Sequence, residues 1–348
     1  MSTLSAPVSA PASASTVARM RAHVLDEVDG PLQLRELPLP RAGHGQVLVR
    51  IDASGVNPLD TKIRAGQAAH ARQPLPAVLG MDLAGRVEGV GDGVSRFVPG
   101  DRVYGLAGGI GGLQGSLADY AAVDADLLAR APSNLSPREA AALPLVFITA
   151  WEGLVDRANV QPGQTVLVHG GAGGVGHVAI QLARARGARV FATGNGAQQE
   201  TIRRLGATPI DYTAETVAQY MQRLTDGEGF DIVYDTVGGP VLDASFEAVR
   251  IYTGHVVSAL GWGTHRLAPL SFRAGTYSGV FTLLPMISGR GRAHHGEILA
   301  QATRLAESGQ LAPLMDARRF GFEDADAAQR VVAAQQAQGR IVVEMGTA

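Results

Sequence analysis

Cysteine is absent from the 348 residues. That absence excludes disulfides, thiolate nucleophiles, iron–sulfur clusters and every structural zinc site built on cysteine. The 30 basic side chains include a single lysine, Lys62, and the rest are arginine. A P-loop needs Gly-Lys-Ser/Thr, and Thr61 precedes this lysine, so that nucleotide site is missing. Net charge is also lacking. The 30 basic residues face 32 acidic ones, for a formal charge of −2, which leaves no electrostatic footprint for nucleic acid or anionic lipid. No run of 18 apolar residues occurs to cross a membrane, and no G-x-S-x-G elbow marks a serine hydrolase. Residues 1–17 lack a basic residue and the apolar core of a secretory signal. They read as a disordered tail, and the chain is expected in the cytoplasm.

Apolar residues make up 46% of the chain and charged ones 18%, enough for sizeable cores and about two domains. Glycine is abundant, 44 residues without a regular repeat, as turns and close backbone approaches require. From Arg21 to about Leu145, short strands alternate with glycine and proline turns. Examples are Val47–Ser54, Gly85–Gly91 and the Pro99-Gly100 turn. This texture predicts a partly closed β unit. A helix opens at Ser136-Pro137, and strand then alternates with helix through Thr165–His169, Val175–Arg186, Ala188–Thr193 and onward to Tyr277–Leu284. That order predicts a doubly wound parallel sheet. Helices from Gly296 to Ser308 and from Asp324 to Gln338, and a strand from Arg340, are expected at the end.

Directly after the first of these strands comes Gly170-Gly171-Ala172-Gly173-Gly174-Val175-Gly176. Gly171, Gly173 and Gly176 fit G-x-G-x-x-G between a buried strand and a helix. The first glycine allows the turn, the second lets the backbone approach a pyrophosphate, and the third lets the helix pack on the strand. Dinucleotide binding is therefore expected at Gly171, Ala172, Gly173, Gly174, Val175 and Gly176. The second strand ends in Thr193-Gly194-Asn195-Gly196, and the first acid after the turn is Glu200. No carboxylate there selects for a free ribose hydroxyl, so NADPH is expected. Arg203 and Arg204 lie one turn into the next helix, either as partners of a 2′-phosphate or as a solvated face.

These residues resemble the zinc-free quinone oxidoreductase branch of the medium-chain dehydrogenase/reductase superfamily, over about Arg21 to Met345. The likeness is carried by Gly55-Val-Asn-Pro-Leu-Asp-Thr-Lys-Ile-Arg-Ala-Gly, Gly80-Met-Asp-Leu-Ala-Gly, Pro99-Gly-Asp-Arg-Val, the His169 turn, and Asp231-Ile-Val-Tyr-Asp-Thr-Val-Gly-Gly. The resemblance implies an α/β protein: a GroES-like β domain (18–147 and 286–348) with an inserted Rossmann domain (148–285) and a site in the cleft between. The zinc branch has Gly-His-Glu where this chain has Gly80-Met81-Asp82. No histidine pair is spaced for a metal, and adjacent His294 and His295 are expected on a solvated turn. Without zinc to polarise a ketone, the easier hydride acceptor is a quinone or an electron-poor C=C, whose charge a few fixed donors can steady.

The resemblance assigns those donors to Asn57 and Thr149, with Asp60 holding the loop. Lys62 stands where relatives carry tyrosine, and faces either the substrate oxygen or the solvent. Gln199 stands where NADPH-using relatives place lysine. Tyr212 and Arg340 match residues near the cofactor. Leu260 and Trp262 fall where the family's loop passes the nicotinamide, Trp262 lining the pocket or packing in a core. Pairing of two copies through the apolar edge Tyr277–Leu284 is expected. The function implied is an NADPH-dependent reductase of quinones or α,β-unsaturated carbonyls. The alternatives are a stand-alone enoyl-thioester reductase and a non-catalytic cofactor-binding member.

Overall fold

Short strands cut by glycine and proline turns do fill the first part of the chain. The computed structural model describes residues 18–346, so the tail expected over 1–17 lies outside the described residues. The strands are β1 (Arg19–Leu25), β2 (Gln33–Pro38), β3 (Gln46–Val56), β4 (Ala77–Val78), β5 (Asp82–Val90), β6 (Arg102–Leu106), β7 (Tyr120–Asp124) and β8 (Leu128–Arg130). β1, β2 and β4 form a small sheet, and β3, β5, β6, β7 and β8 a larger one. Register shifts at Leu48/Val49 and Ile51/Ala53 bulge β3 against β5, which bends the sheet toward closure. Helix α1 (Pro58–Arg64) follows β3 directly. α2 (Pro137–Ala141) opens as its sequence predicts, with Ser136 and Glu139 capping each other and Pro137 in the first turn. α3 (Pro144–Trp151) runs on into a π-helical turn, Glu152–Arg157.

The alternating part comprises β9 (Thr165–Val168), α4 (Gly176–Ala185), β10 (Arg189–Gly194), α5 (Gln199–Leu205), β11 (Thr208–Asp211), α6 (Val217–Thr225), β12 (Ile232–Asp235), α7 (Pro240–Ala248), β13 (His255–Ser258), α8 (Ala268–Phe272) and β14 (Thr276–Gly279). Its sheet is parallel throughout, in the order β11-β10-β9-β12-β13-β14. Val166 and Val168 of β9 join the main core, while Leu167 joins Phe191, Phe230 and Phe246 on the opposite face. A strand buried on both faces needs this continuous apolar run. The glycine turn leaves β9 where the strand order reverses, the point at which such sheets bind ligands.

After the sheet come α9 (Leu284–Ser288), α10 (Arg292–Glu307), β15 (Phe320–Gly321), α11 (Ala325–Ala333) and β16 (Ile341–Glu344). β16 pairs antiparallel with β3, setting Ile341 opposite Val56, so the last strand completes the first large sheet. The result is an α/β protein, a GroES-like β domain joined to a Rossmann sheet.

Three expectations need correction. The strand expected over Tyr277–Leu284 stops at Gly279, because Val280, Thr282 and Leu283 turn inward and are buried against the interdomain cavity. The apolar character that suggested an uncovered edge belongs to that cavity wall. The helix expected from Gly296 begins at Arg292. Gly296 is not a breaker: a Cβ there would lie 2.6 Å from the Asp126 carbonyl oxygen, so glycine lets the helix pack against that backbone. His294 and His295 both lie on α10, and His295 is fully buried rather than on a solvated turn.

Candidate active site

The glycine turn is built by exclusion. A Cβ on Gly176 would fall 2.1 Å from the Gly170 carbonyl oxygen, and one on Gly171 would fall 2.6 Å from Cβ of Ala192. Gly173 and Gly174 are exposed at the apex. The N–H groups of Ala172, Gly174 and Val175 have no hydrogen-bond partner among the described residues. They precede α4, so open donors and a helix N-terminus converge, as a pyrophosphate requires. The turn therefore fits a dinucleotide. Thr193 was expected against the ribose; instead its buried Oγ1 accepts from Gly170 N–H (3.1 Å) and lies 3.2 Å from His169 Nδ1. It holds the turn. Burial lowers both His169 and His177 to about 4, so both are neutral.

At the ribose position the side chains are mostly engaged with each other. Asn195 caps the next turn through Gln198 (3.0 and 3.2 Å), and Gln199 Nε2 donates to the Gly194, Asn195 and Ile210 carbonyls. A Cβ on Gly194 would lie 2.7 Å from Ile202 Cδ1, so this glycine admits α5. Arg203 pairs with Glu200 on an exposed face, and Arg204 meets Thr201. Tyr212 is exposed, its N–H 3.4 Å from the Gly194 carbonyl oxygen. The sequence reading missed Asp211. Strand pairing sets it beside Gly194, and its Oδ2 lies 3.4 Å from where a Gly196 Cβ would stand. A carboxylate absent from β10 is thus supplied by its neighbour.

At the other end of the cleft, three distant segments share one buried polar cluster. Asn57 Nδ2 donates to Asp82 Oδ2 (2.9 Å), and Arg340 Nη2 donates to Asn57 Oδ1 (2.6 Å). Arg340 Nε donates to the Ala142 carbonyl (2.9 Å), and Asp82 Oδ1 accepts from Leu145 N–H (2.9 Å) at the start of α3. Asp60 accepts from Asn57 N–H (2.8 Å) and so holds the loop, as expected. Burial pushes Asp60 up to about 7 and Asp82 up to about 6, partly offset by hydrogen bonds and by Arg340. Arg340, expected at the cofactor, is committed to this cluster. Its Nη1 faces the glycine turn, 3.4 Å from where a Gly174 Cβ would stand. Asn57 is fully buried, with both ends of its carboxamide engaged.

Between these ends lies a cavity of about 550 Å³. Asn57, Lys62, Thr149, Val175, Leu260 and Trp262 line it, so the residues expected at the acceptor do converge, whereas Thr193, Gly194, Asn195, Arg203 and Tyr212 lie outside it. Thr149 Oγ1 donates to the Leu145 carbonyl (2.7 Å) and lies 3.2 Å from Thr282 Oγ1. Lys62 is exposed at the cavity wall and makes no ion pair among the described residues. Trp262 is 52% exposed, which rules out core packing. Its ring stacks on His70 (5.0 Å between centroids, 25° apart), and Phe281 meets it edge-on at 5.8 Å. His70, Phe281 and Thr282 were not foreseen. They come from two segments, the turn at Ala69–Ala71 and the stretch after β14, and no local pattern marks them.

Two family models match the chain: an alcohol dehydrogenase GroES-like domain over residues 43–133, and a zinc-binding dehydrogenase over residues 205–343. The 2-methylene-furan-3-one reductase of Solanum lycopersicum is 36% identical, over 88% of this chain and 73% of that protein. The chloroplastic NADPH-dependent alkenal/one oxidoreductase of Arabidopsis thaliana is 34% identical, over 97% and 83%. The spectinabilin polyketide synthase system protein NorB of Streptomyces orinoci is 36% identical over 86% of this chain, which spans only 13% of that protein. Among solved structures, an alcohol dehydrogenase superfamily protein from Novosphingobium aromaticivorans superimposes with a TM-score of 0.92 at 58% identity, covering 94% of this chain and 100% of that one. The donor set does not fit zinc. The sequence has no cysteine, Met81 is buried in the core, and no group of three or more His, Asp or Glu among the described residues is placed to hold a metal.

Proposed function

The chain belongs to the medium-chain dehydrogenase/reductase superfamily of oxidoreductases, whose Rossmann domain binds a nicotinamide cofactor, and on that premise we propose that it is an NADPH-dependent reductase of quinones and α,β-unsaturated carbonyl compounds. The observation carrying this reading is the cavity itself. It is bordered by three stacked or edge-on rings and by hydroxyl, amide and ammonium donors, with no metal donor set. A flat conjugated acceptor in the cavity lies against this ring cluster, where ring contacts stabilise it by about 0.5–1.5 kcal/mol each.

Bound reduced nicotinamide supplies the hydride. The open N–H groups of Ala172, Gly174 and Val175 hold its pyrophosphate. Thr149 and the remaining Nδ2 hydrogen of Asn57 steady the oxygen on which charge develops, and Lys62 supports them from the wall. Each such donor contributes about 10²–10³ in rate where it is preorganised. The cluster of Asp82 and Arg340 holds the Asn57 amide in one orientation, so no reorganisation is needed during reaction.

NADPH over NADH is part of the proposal. It is supported by the missing acid at the end of β10 and by the cofactor in the Arabidopsis relative's name. Asp211 beside Gly194 weighs the other way. The similarity to the solved structure of CurK enoyl reductase, 26% identical with a TM-score of 0.80, supports an enoyl compound as a second acceptor class. Pairing of two copies through the outer strand β14 belongs to the same proposal, and sedimentation across a concentration series checks it.

The test follows oxidation of NADPH and of NADH with benzoquinone, an α,β-unsaturated aldehyde, crotonyl-CoA and a simple ketone. Turnover with the quinone or the enal, faster with NADPH, is expected. Turnover of the ketone alone contradicts the proposal. Tight cofactor binding without any turnover assigns the chain to a binding role.

A further inference from the structure

Hydride delivery leaves an anion that needs one proton. Asn57 leads only to Asp82 and Asp60, which are enclosed, and Lys62 pairs with no acid among the described residues. Thr149 leads to a partly exposed carboxylate. Its Oγ1 lies 3.2 Å from Thr282 Oγ1, and Thr282 donates to Glu152 Oε2 at 2.9 Å. The other carboxylate oxygen of Glu152 is 3.4 Å from Nε2 of His295. Thr149 and Thr282 line the cavity, whereas Glu152 and His295 do not. Glu152 nevertheless keeps 16% of its side chain in solvent, so it links the buried hydroxyls to water.

Two further features of this row have no packing explanation. His295 is fully buried, yet neither ring nitrogen has a hydrogen-bond partner. Buried polar atoms left in this way call for a role beyond packing. Glu152 also opens the π-helical turn that ends α3, and such widened turns occur frequently at functional sites. The remaining groups nearby are accounted for. Tyr234 donates its hydroxyl to the Thr149 carbonyl (2.7 Å), and His294 turns outward to Asp156 (2.8 Å) and Glu297 (3.3 Å).

We propose that Thr149, Thr282, Glu152 and His295 form a proton path from solvent to the acceptor oxygen in the cavity. The inference rests on the reductase reading above. Hydride brings two electrons and one hydrogen to the β-carbon of the acceptor, and the π pair moves onto the carbonyl oxygen. That oxygen takes the Thr149 hydrogen, Thr149 takes that of Thr282, and Thr282 takes the proton of the Glu152 carboxyl. The product enol relaxes to the ketone in water. As found, Thr149 donates to the Leu145 carbonyl (2.7 Å) and Thr282 to Glu152 (2.9 Å), so both hydroxyls turn toward the acceptor before delivery. A proton entering from solvent, held by Glu152 or by the His295 imidazole, and a turn of both hydroxyls reset the row. Thr149 touches substrate in this scheme; Glu152 and His295 act through the two threonines.

The experiment compares the unmodified protein with Glu152→Gln, Thr282→Val and Thr282→Ser, using NADPH and whichever acceptor the parent turns over. It measures kcat, both KM values and the solvent deuterium isotope effect. Glu152→Gln and Thr282→Val are expected to lower kcat by about tenfold or more, to leave the KM for NADPH within about twofold, and to enlarge the isotope effect. Thr282→Ser, which replaces the hydroxyl, is expected to recover most of the loss. If Glu152→Gln does not fold, the two Thr282 variants carry the test. A parent-like kcat and isotope effect in Thr282→Val overturn the path, as does a loss in kcat that serine fails to recover. A parent inactive with every acceptor overturns the reductase reading instead, and the path falls with it.

Discussion

At one end the cleft is made of backbone, and at the other of side chains gathered from across the chain. The glycine turn occupies seven consecutive residues, and its geometry depends on what is left out: a Cβ on Gly176 or Gly171 meets its neighbours at 2.1 or 2.6 Å. The acceptor end depends on what is brought in. Asn57 and Arg340, 283 residues apart, share a hydrogen bond, and Asp82 links both to the start of α3. Backbone sites tolerate little change but ask nothing of distant sequence. Side-chain sites ask for several partners at once, and losing one leaves the others buried and unpaired.

Arg340→Met should break that contrast most severely. It leaves two buried carboxylates without their cation and Asn57 Oδ1 without its donor, a loss of about 3–5 kcal/mol. Urea denaturation measures it, and a loss below about 1 kcal/mol contradicts the described cluster. Gly176→Ala comes next, at about 1–3 kcal/mol of overpacking together with lost cofactor binding. Gly174→Ala, whose Cβ would meet the Arg340 guanidinium at 3.4 Å and Val146 Cγ1 at 3.7 Å, should keep the fold and weaken only cofactor binding. Equal thermal shifts for the two glycine variants would remove the distinction drawn here.

A third test uses pH. Asp60 at about 7 and Asp82 at about 6 lie above their ordinary value of 3.8, chiefly through burial. The folded chain therefore binds more protons than the unfolded chain between about pH 4 and 7. Their contribution to stability is fully present below that window and is lost as pH rises through it. Asp60→Asn should flatten this fall, visible as a smaller difference in melting temperature between pH 5 and pH 8. An unchanged difference places the dependence elsewhere.

The smallest effects belong to the cavity wall. Trp262→Ala should lower kcat/KM for aromatic acceptors by roughly two- to tenfold and leave melting unchanged, since the ring is half exposed. Lys62→Met should cost no more than about fivefold, as expected for an exposed ion.

The same contrast explains what could be read from residues alone. The turn, the strands flanking it and the Ser136 cap are contiguous, so spacing and residue type reveal them. Asn57, Thr149 and Asp60 were found through a family pattern, but the bonds from Asp82 and Arg340 to Asn57 and the contact of Thr282 with Thr149 were not. Thr193 looked like a ribose donor because it ends β10; only the fold shows its hydroxyl turned back to Gly170. Tyr277–Leu284 read as a strand because apolar residues on a sheet and on a cavity wall look alike in sequence. The helix was expected to start at Gly296, because sequence cannot tell a glycine at a helix end from one inside it that lets the helix approach the Asp126 carbonyl.

The sequence by itself determined the α/β architecture, the dinucleotide turn and the missing zinc ligands, since each depends on local periodicity, adjacent residues or composition. Tertiary structure alone decided that Arg340 serves Asn57, that Asp211 stands beside Gly194, that Trp262 stacks on His70, and that Thr282 and Glu152 join Thr149. These pairings are set by how the two domains close on one another, and contacts across a closing interface leave no periodic trace in either segment.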